Sequence, residues 1–392
     1  MLRLTHKWLE QEVDAIKNQG LYRQLRTISP SSRSKKSYID GKENIMASSN
    51  NYLGLAGDKR LTDEAVTIMK EYGVGSTGSR LTTGNTIWHE KLEQRIAEFK
   101  NEEAALVFSS GYLANIGVIS SLAGSEDIIL SDQFNHASII DGCRLSKAKT
   151  SVYRHTDMED LEVKLIHNQH FRRRFIVTDG VFSMDGNIAP LREIKVLAEK
   201  YDAYIIVDDA HATGVIGKNG RGTADHFDVP VDVTVGTFSK AIGTEGGFVA
   251  GSRPLIDYLR NRARSFIFQT ALPPGIMAAT IKAIDIIEST PELQSHLQHL
   301  IHLIRTELLD YGFDIRGEHT PILPVIIGES EKSMYFSKAL EKEGIFAPAI
   351  RPPSVPNGES RIRMTIMAAH TEQDIQQICK TFYNVGKKLE VI

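Results

Sequence analysis

Residues 204–217 read YIIVDDAHATGVIG and residues 232–240 read DVTVGTFSK. In the first, the apolar run 205–207 stops abruptly at Asp208, Asp209 and His211. A short β-branched run is the pattern of a strand buried in a parallel sheet, and polar groups at its carboxyl end sit on the edge where open α/β sheets bind ligands. The second stretch repeats the form, with residues 233–235 leading through small residues to Thr237, Ser239 and Lys240. Two such strands side by side would bring a carboxylate, an imidazole, a hydroxyl and an amine into one crevice. Two readings of the acid and the amine are open. Asp208 and Lys240 can form a structural ion pair while His211 caps a turn. Alternatively a desolvated Lys240 amine can form a Schiff base with an aldehyde, and Asp208 can keep a ring nitrogen protonated, the pairing that pyridoxal phosphate requires.

Upstream, from Ala104, strand-like and helix-like runs alternate. AALVF, DIIL, SVYR and RFIVT read as strands; GYLANIGVISSLA, HASIIDGCRLSKA, MEDLEVKLI and PLREIKVLAEKY read as helices. This is the signature of βαβ units and a mainly parallel sheet covered on both faces. The strand ends carry polar groups. Gly111 and Tyr112 open a helix, where free backbone N–H groups and the helix dipole suit a phosphate. His136 stands at the start of another helix, as a cap or a functional imidazole. Ser183 lies in the loop DGVFSMDG. Earlier, NIMASSNNYLGL takes a short strand into Asn50 and Asn51, side chains that close turns or, for Asn50, reach a ligand carboxylate. GVGSTGSRLTTGNT, residues 73–86, is a tight loop without the Lys-Ser/Thr ending of a P-loop.

Downstream, GTEGGFVAGS reads as a further strand lying against the sheet. Thr270 precedes Pro273 and Pro274, which start a long helix to Ser289. Beyond it lies a smaller α+β unit, in which Arg351 occupies a proline-stiffened loop and Arg361 and Arg363 alternate along a strand, sharing one face. An arginine on a fixed strand is a good fork for a carboxylate. The expected division is residues 1–49 as an N-terminal helix and connector, 50–289 as the large domain and 290–392 as the small C-terminal domain.

Composition narrows the function class. The chain has 392 residues, 41% hydrophobic and 24% charged, with a formal net charge of -3, the profile of an ordinary globular protein with no electrostatic reason to bind nucleic acid or an anionic membrane. Its two cysteines, Cys143 and Cys379, are in no metal-ligand or redox spacing, and Cys143 reads as a buried hydrophobe. The N-terminal stretch is an amphipathic helix ended by Gly20 rather than an export signal, and residues 21–40 are a polar connector with a turn at Ser29, Pro30, Ser31 and Ser32. A cytoplasmic location is the expectation.

Taken together, SSNNYLGL, SGYLANIG, NHASIIDG, TDGVFSMDG, VDDAHATG, GTFSKAIG, FQTALPP and RIRMT resemble the α-oxoamine synthases, fold-type I pyridoxal-phosphate enzymes that condense an amino acid with an acyl thioester. The match runs in order from about Asn44 to the C-terminal helix. It implies a fold-type I transferase with a mostly parallel, seven-stranded-type sheet. It also implies a homodimer, with small-molecule substrates and an acyl group delivered by coenzyme A or an acyl carrier protein. GSTGSRLTTGN and AIRPPSVP favour the member that joins L-alanine to a pimeloyl thioester; the alternative joins glycine to acetyl-CoA. By this resemblance Lys240 is the Schiff-base lysine, Asp208 faces the pyridine nitrogen and His136 lies over the ring. His211 and Ser183 stand near the phenolic oxygen. Gly111, Tyr112 and Thr237 serve the phosphate, with Thr270 reaching across a dimer interface. Asn50 and Arg363 hold the amino-acid carboxylate. Arg351 and Ser354, the latter where the family usually has threonine, are implied near the acyl chain. LYRQLR replaces a row of basic residues, leaving Arg23 or, by register, Tyr22 to contact it. Outside this family, a Rossmann oxidoreductase would need a GxGxxG directly after a strand, and no strand of that type precedes GVGSTG at residues 73–78; a non-catalytic subunit would be expected to have lost Lys240.

Overall fold

The computed structural model describes residues 7–29 and 34–392. The expected helix start at residues 1–6 and the Pro30, Ser31 and Ser32 part of the expected turn lie outside the described residues. Every strand expected between residues 104 and 240 forms. They belong to one seven-stranded sheet in the spatial order Ala104–Phe108, Gly247–Gly251, Val233–Thr237, Ala203–Asp208, Arg174–Asp179, Ile128–Asp132 and Lys149–Tyr153.

The uninterrupted apolar character of these strands follows from what lies above and below them. Phe175, Val177 and Ile206 pack into one apolar cluster with the helices Gly111–Leu122 and Arg253–Arg262. Ile176, Ile205 and Val207 point the other way, into a second cluster with the helices Met158–His167 and Leu191–Lys200. Successive side chains alternate between faces and both faces are covered, so no polar alternation remains to be seen. Six of the seven strands run in one direction, five of them as direct parallel neighbours, and Gly247–Gly251 alone is reversed. Ala203–Asp208 and Val233–Thr237 are direct parallel neighbours, with Asp208 opposite Val235.

Gly247–Gly251 is a correction to the expectation of a strand lying against the sheet. It enters the sheet itself, antiparallel to Ala104–Phe108 and to Val233–Thr237. All five of its residues are buried, and the close approach explains its first glycine: a Cβ on Gly247 would lie 2.4 Å from the Gly111 nitrogen.

Past the helix Pro274–Ser289 come the long helix Glu292–Asp310 and a three-stranded antiparallel sheet in the order Ile322–Gly328, Ser360–Thr365, Ala349–Ile350. The helices Ser330–Lys342 and Glu372–Lys388 complete this region. The largest apolar cluster runs from Ile45 and Leu92 through Ile284 and Leu300 to Phe382, on both sides of residue 290.

The stretch read as a connector also holds structure. Ile28–Ser29, Lys36–Ile39 and Lys42–Met46 form antiparallel pairs, and Lys42–Met46 pairs in parallel with Ile345–Phe346. Asp40 and Gly41, both at positive φ, make the two-residue turn that suits the twist of a hairpin. The helix Lys7–Asn18 before them buries none of its residues.

Candidate active site

The helix starting at Gly111 brings the first group of residues together. Ser110 caps it, accepting from the Leu113 N–H at 3.1 Å, which leaves the Gly111 and Tyr112 N–H groups without an intrahelical acceptor. Gly111 abuts the end of the lysine-bearing strand, since a Cβ there would lie 3.1 Å from Thr237 Cβ. Thr237 Oγ1 donates to the Gly246 carbonyl at 2.9 Å and meets Ser239 Oγ at 2.8 Å. Thr237 is therefore a fixed hydroxyl beside a helix N-terminus.

Asp208 ends the adjacent strand and is buried. Its Oδ1 accepts from the Ala210 N–H at 2.9 Å and its Oδ2 from Asn115 Nδ2 at 2.6 Å. No hydrogen bond or ion pair joins it to Lys240 among the described residues, so the structural ion-pair reading fails. As a residue, Lys240 is half-buried. Burial lowers its proton affinity, against the pull of Asp208 and Asp179 and with the push of Arg363. An amine without a carboxylate partner beside a fixed carboxylate is a pair arranged to act on something between them.

His136 bears out its reading as a cap. It is the N-cap of the helix Ala137–Leu145, where Nδ1 accepts from the Ser138 N–H at 3.3 Å and meets Ser138 Oγ at 2.8 Å. That leaves Nε2 as the protonated nitrogen of the neutral ring. The ring is open to the crevice and lies edge-to-face with Tyr112, centroids 6.3 Å apart. Desolvation lowers its pKa; Asp208 opposes this and Lys240 adds to it. Its backbone N–H is held by Asp179 Oδ2 at 2.7 Å. Asp179 lies opposite Asp208 on the neighbouring strand, and burial first, then the Asp208 carboxylate, push its carboxyl well above the ordinary range.

On the other side, His211 is buried and its Nδ1 lies 2.6 Å from the Tyr52 hydroxyl. Burial, reinforced by Lys240, Arg363 and His136, holds its pKa well below the ordinary imidazole value, so the ring is neutral. Arg363 donates to the Ser183 carbonyl at 2.6 Å and to Asn50 Oδ1 at 3.3 Å. It has no carboxylate partner among the described residues. Arg361, two positions earlier on the same face, is saturated by Asp185 at 2.7 Å and Glu359 at 3.1 Å. The shared face thus contains one spent arginine and one available one. Asn50 and Lys240 line a single cavity of about 420 Å³, with Ser239, Thr244 and, at the N-terminal side, Ile28 and Phe346.

Four expected residues stand apart from this cluster. Thr270 is exposed and makes an isolated antiparallel bridge with Ser79 in the loop 73–86. Arg23 and Ser354 are exposed, and Arg351 donates to the Gly20 carbonyl; none of these three lines the 420 Å³ cavity. Asp209, next to Asp208, turns away to Lys100 at 3.1 Å in a fully buried pair.

The pattern of the family "Aminotransferase class I and II" matches residues 43–382. The chain belongs to that family. "8-Amino-7-oxononanoate synthase 2" of Bacillus subtilis (strain 168) is 56% identical over 385 residues, covering 98% of this chain and 99% of the relative. A "putative 8-amino-7-oxononanoate synthase 2" of Bacillus velezensis is 58% identical over 384 residues, 98% of each. Among solved structures, a variant serine palmitoyltransferase from S. paucimobilis with a bound PLP–myriocin aldimine is 32% identical with a TM-score of 0.91, covering 100% of both chains. The 8-amino-7-oxononanoate synthase of Francisella tularensis is 29% identical with a TM-score of 0.78, covering 89% of this chain and 99% of that one. This member of the aminotransferase class I and II family has the fold-type I architecture of pyridoxal-phosphate enzymes.

The donor set fits that cofactor. A helix N-terminus with a fixed hydroxyl suits its phosphate, a buried carboxylate suits its ring nitrogen, and an unpaired amine suits its aldehyde. The buried Asn115 Oδ1, which has no hydrogen-bond partner, lies in the same neighbourhood. Asn115, Asp179 and Tyr52 are participants that sequence reading did not single out as site residues. Asp179 carried the signal that Asp208 did, an acid closing an apolar strand, and Tyr52 a weaker one, as an aromatic directly following the two asparagines at a strand end; Asn115 carried none.

Proposed function

We propose that this protein is an 8-amino-7-oxononanoate synthase, a pyridoxal-phosphate-dependent acyltransferase. It condenses L-alanine with a pimeloyl thioester, of coenzyme A or an acyl carrier protein, to give 8-amino-7-oxononanoate, carbon dioxide and free thiol in biotin synthesis. The observation that carries the reading is the unpaired Lys240 amine beside the fixed Asp208 carboxylate, at the ends of adjacent parallel strands. The full-length relatives at 56% and 58% identity support the choice of substrate.

When bound, pyridoxal phosphate supplies an aldehyde for the amino acid and a ring that accepts electrons from its Cα. The protein's own groups do the rest. Asp208 holds the ring nitrogen protonated. Gly111 and Tyr112 N–H groups and the Thr237 hydroxyl bind the phosphate, with Thr270 contributed from the second subunit of a homodimer. His136, its Nδ1 engaged by Ser138, would hold the ring and offer Nε2–H as a donor. His211 and Ser183 stand near the phenolic oxygen. Arg363 and Asn50 hold the alanine carboxylate, so that Cα lies within reach of Lys240. The Lys240 amine, its proton affinity lowered by burial, removes the Cα proton and later returns it. Arg23, Arg351 and Ser354 meet the acyl chain where the N-terminal segment and the 351–354 turn come together through Arg351 and Gly20.

The test is product formation by the purified protein from L-alanine and pimeloyl-CoA against glycine and acetyl-CoA, with the visible spectrum recorded with and without L-alanine. The expected result is a yellow protein whose spectrum responds to L-alanine and which prefers the first pair. Preference for the second pair would overturn the substrate and leave the cofactor standing.

A further inference from the structure

Tyr52 is fully buried, and its hydroxyl stands between two groups with different tasks. It lies 2.6 Å from His211 Nδ1 and 3.1 Å from Asn50 Oδ1. The Asn50 atom is fixed as the amide oxygen because Arg363 donates to it at 3.3 Å; a nitrogen there would set donor against donor. The hydroxyl has a single proton to give. If it donates to His211, that neutral ring carries its own proton on Nε2. If it donates to Asn50, the Nδ1–H of His211 donates to the Tyr52 oxygen and Nε2 is bare. A carboxylate arriving at Arg363 draws its guanidinium away from Asn50 Oδ1, leaving that oxygen in need of a donor, and Tyr52 is the hydroxyl in place.

We propose that Tyr52 is a positioning residue that couples the anion-holding pair Asn50 and Arg363 to the tautomer of His211. The inference rests on the reading of that pair as the amino-acid carboxylate site. Its consequence is that filling the site turns His211 Nε2 from donor to acceptor. Nε2 has no hydrogen-bond partner among the described residues, so nothing within the chain opposes the change; in the holoenzyme the phenolic oxygen is the group that would meet it. The charged and titratable groups facing His211 are Lys240, Arg363 and His136. The neutral hydroxyl of Tyr52, its pKa raised by burial to about 12, is the one that can exchange a hydrogen bond without changing charge.

The experiment uses the holoenzyme labelled with 15N-histidine, the His211 signals being assigned by their loss in His211→Gln, and propionate as a carboxylate without an amine. In the unaltered protein, saturating propionate is expected to move Nε2 from the protonated to the unprotonated resonance range. In Tyr52→Phe, propionate is expected to bind with affinity within about twofold, because Asn50 and Arg363 remain, while the His211 resonances stay still. A purely structural role for Tyr52 would not separate binding from this response. Should Tyr52→Phe be unstable, Asn50→Leu breaks the link from the other end; because it also removes one of the two holding groups, it is titrated to its own propionate saturation, where the His211 resonances are expected to stay still. No propionate response in the unaltered protein, or an equal response in Tyr52→Phe, overturns the proposal. A protein that shows the response yet fails to condense L-alanine with pimeloyl-CoA would reject the substrate reading and uphold the coupling.

Discussion

Asn115 Nδ2 donates to Asp208 Oδ2 at 2.6 Å and to Ser138 Oγ at 2.9 Å, so one buried amide joins the acid at a strand end to the hydroxyl that touches His136. A charge-assisted hydrogen bond of this kind contributes about 1.5–3 kcal/mol, and its loss leaves the carboxylate short of a partner. Asn115→Leu is therefore expected to weaken pyridoxal-phosphate binding by roughly tenfold to a hundredfold. Equilibrium titration of the apoprotein with cofactor, followed by absorbance, reads this directly; unchanged affinity would mean that Asp208 keeps its orientation without the amide.

Lys240→Ala removes the amine and nothing that supports the fold, since no ion pair depends on it. The variant is expected to unfold within a few degrees of the parent, to lack the visible band of a lysine-bound cofactor, and to show turnover reduced by at least about a thousandfold. Turnover near the parent level would move the catalytic amine elsewhere.

Arg363 differs from Arg361 in having an available charge, and the two should separate in experiment. Arg363→Ala is expected to raise KM for L-alanine by roughly tenfold to a hundredfold, the value of a lost charged hydrogen bond, with a smaller change in kcat. Arg363→Lys should recover little of this, because an ammonium cannot reproduce the planar fork. Arg361→Ala should instead lower the melting temperature, because it leaves Asp185 and Glu359 without their shared partner. The reverse pattern would exchange the two roles.

Much of the large sheet was legible because both of its faces are covered: the apolar runs ended at the residues that now line the crevice, and Asp208, His211, Thr237 and Lys240 came from reading those ends. The parallel direction of the βαβ strands was legible, but that of Gly247–Gly251 was not. GFVAG has no alternation, and its antiparallel entry depends on pairing with Val233–Thr237. The N-terminal hairpin was legible and missed, since Asp40-Gly41 between two short runs is a turn signal. Asn115 was hidden for a different reason. It reads as one more residue of an apolar helix, and its partners come from two other elements 23 and 93 residues away. The acyl-chain residues Arg23, Arg351 and Ser354 were placed by resemblance alone, and within the chain their surroundings are largely solvent.

His89 provides a pH-dependent stability that is separate from the chemistry. It is buried, its Nδ1 meets the Thr86 hydroxyl at 2.9 Å, and its Nε2 donates to the Leu272 carbonyl at 3.0 Å, tying the helix Ile87–Lys100 to the segment that carries Thr270. Burial, with Arg80 nearby, lowers its pKa from 6.5 to about 4. The unfolded chain therefore takes up a proton before the folded one does. Stability from this group is fully present above the ordinary imidazole value and is lost as the pH falls towards 4, at up to about 1.4 kcal/mol per pH unit. His89→Gln, which cannot be protonated, is expected to be less stable than the parent at pH 7.5 and to close much of that gap at pH 5. Urea unfolding of both proteins at the two pH values measures the difference. A gap that stays constant would show that His89 is protonated in the folded state no later than in the unfolded one.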